Sequence, residues 1–383
     1  MKHASPRRIN RAPVDVGPVP TRSVKGINGM AKQHSLSNYR LLGRSGLRVS
    51  PLALGTMTFG EDAAAEAEVH RIFDAYTDKG GNFIDTAGYY AKGRSEELVG
   101  KFARGKRDRL AIATKYSLAV AQGDPNACGN GRKSMVRSVE DSLRRMGTDY
   151  IDLLFLHVWD DTAPADEIVR GFDDLVRSGK VLYIGVSDTP AWEVARMQTL
   201  AELRGWTQFA ALQIEYSLLQ RTAEWDLIPA ARKLGLGVLP WGPLRGGLLS
   251  GKYATGAPEG ESKRRMHLQR SGRVTPIAVA VADAVQSVAI ELGASSAQVA
   301  LAWTLSNPAT TSTLLGARTL PQLEDNLGAL SLTISDSQLE RLDAISRIGP
   351  AFPHDLIASD FIRAAITGGT QISRHAGFPE SRP

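Results

Sequence analysis

The chain has 383 residues, 43% hydrophobic and 22% charged, which supplies apolar material for one large core. Its formal charge of +6 sits mostly before Met30, where Lys2, Arg7, Arg8, Arg11, Arg22 and Lys25 face Asp15 alone, and the nearly neutral remainder excludes the basic face of a duplex-binding domain. The single cysteine, Cys128, excludes an internal disulfide or a thiolate zinc site, and no apolar run approaches the roughly 18 residues needed to cross a bilayer.

These features predict a protein of the reducing cytoplasm with no nucleic-acid, membrane or metal partner. Residues 1–37 read as a disordered basic leader, with Met30 as a second possible start; residues 38–349 read as one domain, and 350–383 as a Gly-rich C-terminal segment able to cover a site. From Tyr39, two short apolar runs around Arg44-Ser45-Gly46 predict a β-hairpin.

A single unit then repeats, an apolar run of five to eight residues followed by an amphipathic stretch. "LALGTM" precedes a helix over 63–79, "NFIDTA" one over 95–103, "LAIATK" one over 132–146, and "YIDLLFLH" one over 166–178. "VLYIGVS" leads to 191–203, "ALQIEYS" to 223–234, "LGVLPW" to two helices, and "TSTLLGA" to 320–330. Gly80, Gly147, Gly179, Gly205 and Gly235 follow the helices they would end. Ser295 with Gln298, Thr319 with Gln322, and Ser335 with Gln338 each fit a capping box. A long loop, residues 243–275, breaks the rhythm after the seventh strand.

Alternating strands and helices imply parallel pairing, and eight units predict a closed (β/α)₈ barrel. An open doubly wound sheet shares the unit, but the G-x-G-x-x-G that such a sheet uses for a dinucleotide is missing after the first strand. The run Gly246 to Lys252 matches G-x-x-x-x-G-K, yet Tyr253 stands where a phosphate loop needs a hydroxyl for magnesium.

In a parallel barrel the C-terminal ends of neighbouring strands converge on one bowl. The second strand ends at Asp85, the third at Lys115 and the fourth at His157, and the loop after Asp85 adds Tyr90. Taken singly, each has an ordinary explanation: a turn cap, a solvated strand end, a buried imidazole, a rim aromatic. Together they form a mechanism. A lysine ammonium favours phenolate and so is expected to lower the pKa of Tyr90, Asp85 holds the lysine's charge, and His157 orients a substrate oxygen.

"FIDTAGYY", "GRSEELVGK", "ATK", "YIDLLFLH", "KVLYIGVSD", "LQIEYSLL" and "LLGARTLPQLEDNLGAL", in this order between about Tyr39 and Ser346, resemble the aldo-keto reductase superfamily. The resemblance implies a catalytic tetrad of Asp85, Tyr90, Lys115 and His157, with Tyr90 giving a proton to a carbonyl oxygen while NADPH gives hydride to the carbon. It also implies cofactor contacts from Gly55, Thr56, Met57 and Asp85. Ser187, Asp188 and Gln213 would hold the nicotinamide carboxamide; Trp241 would stack on the ring, followed by Gly242, Pro243 and Leu244. Gly316, Arg318, Gln322, Asp325 and Asn326 would clamp the adenosine end, where the Arg318 fork suits a 2′-phosphate. Two positions depart from the family pattern. Asp188 stands in place of an asparagine, so it accepts from an amide but cannot donate to one, and Trp241 replaces a tyrosine.

Some members resemble potassium-channel β subunits, redox-sensing partners that keep the tetrad; slow turnover on tightly held NADPH would distinguish that role. The expected substrate is a small carbonyl compound in a pocket built from Met57, Tyr89, Tyr116, Trp159, Tyr216 and residues 352–361. Oligomeric state cannot be read from the helix faces.

Overall fold

The structure, a computed structural model, describes residues 35–60, 66–120, 122–255, 270 and 272–370. Residues 1–34 of the segment expected to be a leader, residues 61–65, most of the later half of the long loop and residues 371–383 of the expected C-terminal segment therefore lie outside the described residues.

A short hairpin, β1 (Arg40–Leu41) and β2 (Arg48–Val49), precedes eight parallel strands. These are β3 (Leu52–Gly55), β4 (Phe83–Asp85), β5 (Ala111–Tyr116), β6 (Ile151–Leu156), β7 (Val181–Ser187), β8 (Ala211–Glu215), β9 (Gly237–Trp241) and β10 (Thr313–Leu315). Each pairs with the next, β10 pairs with β3, and the seam between β9 and β10 is closed by a parallel bridge from Val238 to Thr310. The predicted eight-stranded barrel is the observed one.

Strand side chains alternate, so each strand serves two layers. In β5, Ala111 and Ala113 join Ala53, Phe83, Leu153, Phe155, Ala211, Leu239 and Leu314 inside the barrel, while Ile112 and Tyr116 pack outward against the helices. The interior mixes alanines with a few large side chains, and Phe155 occupies the space that a side chain at Gly185 would need.

The hairpin closes the barrel floor. Leu42 and Val49 are fully buried in the interior cluster, and Arg40 donates to the carbonyls of Thr310 (3.0 Å) and Thr311 (3.2 Å) at the seam. Gly43 has φ +55°, and a Cβ there would lie 2.4 Å from the Ala210 carbonyl oxygen, so only glycine allows this approach. Leu36, assigned to the leader from its sequence, is 2% exposed and belongs to the outer core.

The surrounding helices are α1 (Glu66–Asp78), α2 (Arg94–Phe102), α3 (Arg132–Met146), α4 (Ala165–Arg177), α5 (Ala191–Arg204), α6 (Leu227–Leu234), α7 (Pro276–Leu292), α8 (Ser296–Leu305), α9 (Leu320–Leu327) and α10 (Asp336–Ser346). The expected glycine terminators Gly80, Gly147, Gly179, Gly205 and Gly235 all take positive φ. Capping boxes form at Ser295 and Ser335.

Two local expectations fail. Thr319 makes no side-chain cap; the N–H of Leu320 is taken by the Glu68 carboxylate (2.7 Å) from α1, and Gln322 instead accepts from the Arg318 N–H (3.0 Å). The helix expected over 223–234 is split into a 3₁₀ turn, Thr222–Glu224, and α6. Pro229 lacks an N–H and is tolerated only in a first helical turn, which delays the α-helix to Leu227.

Residues 350–370 form a unit of their own with two short helices, α11 (His354–Ala358) and α12 (Asp360–Thr367), the second capped by Ser359.

Candidate active site

The C-terminal ends of the strands carry the polar side chains that the alternation turns inward. Lys115 continues the inward row of Ala111 and Ala113, and its ammonium donates to Asp85 Oδ2 (2.5 Å), the Thr86 carbonyl (2.9 Å) and the Tyr90 phenol oxygen (3.3 Å). Three acceptors thus satisfy its three N–H groups. Gln213 Nε2 donates to the other oxygen of Asp85 (2.9 Å), so both sides of this carboxylate are engaged. His157 follows β6, and its ring meets that of Tyr90 edge-on at 5.9 Å between centroids. The tetrad expected from strand position is therefore assembled in one place.

Burial opposes charge on Lys115, but Asp85 and then Tyr90 outweigh it and hold the ammonium above its ordinary value. Burial likewise raises the Tyr90 pKa. Lys115 pulls in the opposite direction, as the sequence led us to expect, yet does not win, because the phenolate would have to exist out of water and near Asp85. The phenol is protonated at rest. His157 is pushed down to about 3, by burial first and by the Lys115 charge second, so it stays neutral.

Tyr90 is held by an unusual loop. Ala91 (φ +46°), Lys92 (φ +54°) and Gly93 (φ +93°) are successive left-handed residues, a conformation that costs on the order of 1 kcal/mol for each non-glycine residue. What over-determines it lies underneath. A Cβ at Gly93 would fall 2.6 Å from Arg145 Cδ, and Arg145 donates to the fully buried Glu96 (2.6 Å), which also accepts from Thr114 (2.5 Å). Thr56, Thr86 and Ser95 form a second buried set that ties β3 and β4 to the start of α2. The "GRSEELVGK" motif carries no direct sign of this role. The available signal was an acidic residue in an otherwise apolar helix face.

The expected cofactor residues fall into two groups. Ser187, Asp188, Gln213 and Trp241 gather around the tetrad: Trp241 Nε1 donates to Asp188 Oδ1 (3.1 Å), and the Asp188 N–H to the Gln213 carbonyl (3.4 Å). Ser187 Oγ and His157 Nδ1 are buried with no hydrogen-bond partner among the described residues. Gly55 pairs with Asp85 at the strand ends. Thr56 is buried with its N–H and hydroxyl both on the Asp85 carbonyl, whereas the neighbouring Met57 is 51% exposed. Gly242, Pro243 and Leu244 continue from Trp241 into a 3₁₀ turn.

The second group lies at the β10–α9 turn. Gly316 and Arg318 are exposed there, Gln322 and Asn326 reach back to that turn, and the Arg318 guanidinium makes no ion pair among the described residues. Asp325 is committed to α8, accepting from Ser295 (2.8 Å) and Gln298 (3.0 Å).

Two of the expected pocket aromatics are core residues instead. Tyr116 is 2% exposed against Phe172 and donates to the Asn130 carbonyl, and Tyr216 is fully buried against Trp303 with its hydroxyl on Glu224. Alternation explains Tyr116: beside inward Lys115, it must point to the helices. Tyr89 is exposed, and Trp159 packs edge-on against Trp192 (5.3 Å), an aromatic not foreseen.

Residues 51–347 match the aldo/keto reductase family. The chain is 40% identical to the uncharacterized oxidoreductase YrpG of Bacillus subtilis, over 80% of this chain and 95% of that one. It is 36% identical to an aryl-alcohol dehydrogenase [NADP(+)] of Phanerodontia chrysosporium (81% and 86% covered) and 34% identical to norsolorinic acid reductase B of Dothistroma septosporum (86% of each). The chain belongs to the aldo/keto reductase family of oxidoreductases.

Proposed function

We propose that this protein is an NADPH-dependent reductase of aldehydes or ketones in which Tyr90 is the proton donor. The observation that carries the reading is the Lys115 ammonium bridging Asp85 and the Tyr90 phenol oxygen. Because that oxygen accepts from lysine, its own O–H remains for a ligand, and the raised pKa keeps the proton in place until an oxygen of rising basicity arrives. Lys115 then stabilises the phenolate left behind. Neutral His157, with a buried ring nitrogen lacking a partner, serves to hydrogen-bond and aim the carbonyl oxygen.

NADPH, when bound, supplies the hydride. The residues present fit it. Ser187 has a hydroxyl with no partner among the described residues, able to donate to the carboxamide oxygen, and the Gln213 amide oxygen and Asp188 offer acceptors for the carboxamide N–H groups, one Gln213 N–H being held by Asp85. At the far end, Arg318 offers an unpaired fork for the 2′-phosphate. Two relatives are named for an aryl alcohol and norsolorinic acid, and Trp159, Trp192 and Tyr89 lie close in sequence to the tetrad or its strand ends, so we extend the substrate class to aromatic carbonyl compounds.

The test is NADPH oxidation against a panel of aldehydes and ketones. Tyr90→Phe should lower kcat by about 10²–10⁴-fold while NADPH still binds. A mutant that turns over like the parent would remove Tyr90 as donor.

A further inference from the structure

Among the described residues, two carboxylates near the strand ends have a cation as ion-pair partner. Asp85 is paired with Lys115 at 2.5 Å, and Glu215, at the end of β8, is paired with Arg245. Asp188 is different. Its partner is the indole N–H of Trp241, a neutral donor that fixes the carboxylate without cancelling its charge, and among the described residues no cation lies within ion-pair distance of it. Asp188 also has φ +42°, a conformation that its neighbours do not share and that asparagine or aspartate adopts more readily than most residues. Burial raises the Asp188 pKa above the usual carboxylate value, against the Trp241 hydrogen bond, with Glu215 adding to the rise and Lys115 opposing it, and its charge in turn opposes ionisation of Tyr90.

We propose that Asp188 is a fixed counter-charge for the nicotinamide end of the cofactor and makes the site prefer the oxidised form. The inference rests on the NADP(H) reading above. The nicotinamide ring is neutral when reduced and carries one positive charge when oxidised, whereas the ribose, diphosphate and adenine parts are the same in both. Any contact to those shared parts cancels in the ratio of the two affinities, so the ratio reports what the protein does at the ring. A carboxylate with no ion-pair partner among the described residues, beside the carboxamide site and next to Ser187, favours the cationic ring through Coulomb attraction at short range. A uniform binding contact could not produce this difference.

The consequence for turnover has a direction. When a hydride with its electron pair passes to the carbonyl carbon and Tyr90 gives its proton to the carbonyl oxygen, a positive charge appears where Asp188 is waiting. Asp188 therefore assists carbonyl reduction at the bound stage and makes NADP⁺ the slower product to leave. In the direction of alcohol oxidation the same charge holds the starting cofactor more tightly and opposes its reduction.

The experiment measures the dissociation constants of NADP⁺ and NADPH for the full-length protein and for Asp188→Asn by calorimetry, without substrate. The isosteric change should weaken NADP⁺ relative to NADPH by roughly tenfold or more, the range expected for removing one unit charge from such a site. NAD⁺ and NADH should show the same relative change, because the ring is common to both pairs. Asp188→Glu keeps the charge and should keep the ratio within about threefold, below the tenfold that 1.4 kcal/mol represents; it also guards against misfolding of the first variant. Equal losses for oxidised and reduced forms in Asp188→Asn, or an unchanged ratio, would overturn the proposal. Parent protein that binds neither NADP⁺ nor NADPH would overturn the cofactor reading itself, a distinct outcome.

Discussion

His157 shows how burial converts a titratable side chain into a neutral one with a measurable signature. Its pKa falls to about 3 in the folded chain, against about 6.5 when unfolded. Between those values the unfolded chain binds the extra proton, so stability is complete above about pH 6.5 and is lost as pH falls toward 3. From pH 7 to 5 this one residue should cost about 2 kcal/mol. Urea unfolding of the parent and of His157→Gln at the two pH values checks this, the variant losing less by that amount; parallel losses would mean that the imidazole is not buried neutral. At this scale the grouping of the four residues was legible from sequence because Asp85, Lys115 and His157 lie at or just past the ends of neighbouring strands, which the barrel brings together. Tyr116 and Tyr216 were misplaced because an aromatic near the site was credited to the site, although their strand parity or outer packing sends them to the core. The Asp188–Trp241 bond could not be read, since nothing local relates residues that lie on different strands.

The Tyr90 loop and α3 act as a coupled pair of elements. Arg145 in α3 supports Gly93 from below and neutralises Glu96 of α2, whose carboxylate is fully buried. Arg145→Met should leave that carboxylate without its cation and cost about 3–5 kcal/mol by urea titration, the range for breaking a buried pair. Because Gly93, which follows the strained Ala91 and Lys92, rests on Arg145, kcat/KM should fall in the surviving folded protein, with Glu96→Gln in the same background restoring part of the stability by removing the stranded charge. No such recovery would separate the ion pair from the loss. Helix spans were legible to within one or two residues where apolar periodicity met a glycine terminator, as at α3 and α5. They were less legible where long-range partners intervened. Glu68 displaced the Thr319 cap from another helix, and Pro229 moved the start of α6, a signal present in the sequence but outweighed there by periodicity.

At the level of the whole barrel, fold class followed from counting eight strand–helix units, and the hairpin was visible in its turn residues; that it packs as a floor was not, because Leu42 and Val49 look like any hairpin residues until their burial is known. Removing Leu42 bulk should matter greatly for the fold. Leu42→Ala is expected to cost about 2–5 kcal/mol in thermal or urea unfolding, the range for a buried leucine whose cavity does not collapse. At 25 °C, where the folded state still dominates, its kcat/KM should stay within about twofold of the parent, since the floor and Tyr90 lie at opposite ends of the strands. A large loss of activity without loss of stability would contradict this.

The blind end of the barrel has a wider consequence. Because Leu42 and Val49 fill one end of a packed interior, a ligand reaches Asp85, Lys115 and Tyr90 from the opposite end. Drift in the floor can then tune how robust the molecule is while the rim keeps its reactivity, and the rim can be rebuilt for a new carbonyl compound without disturbing the foundation.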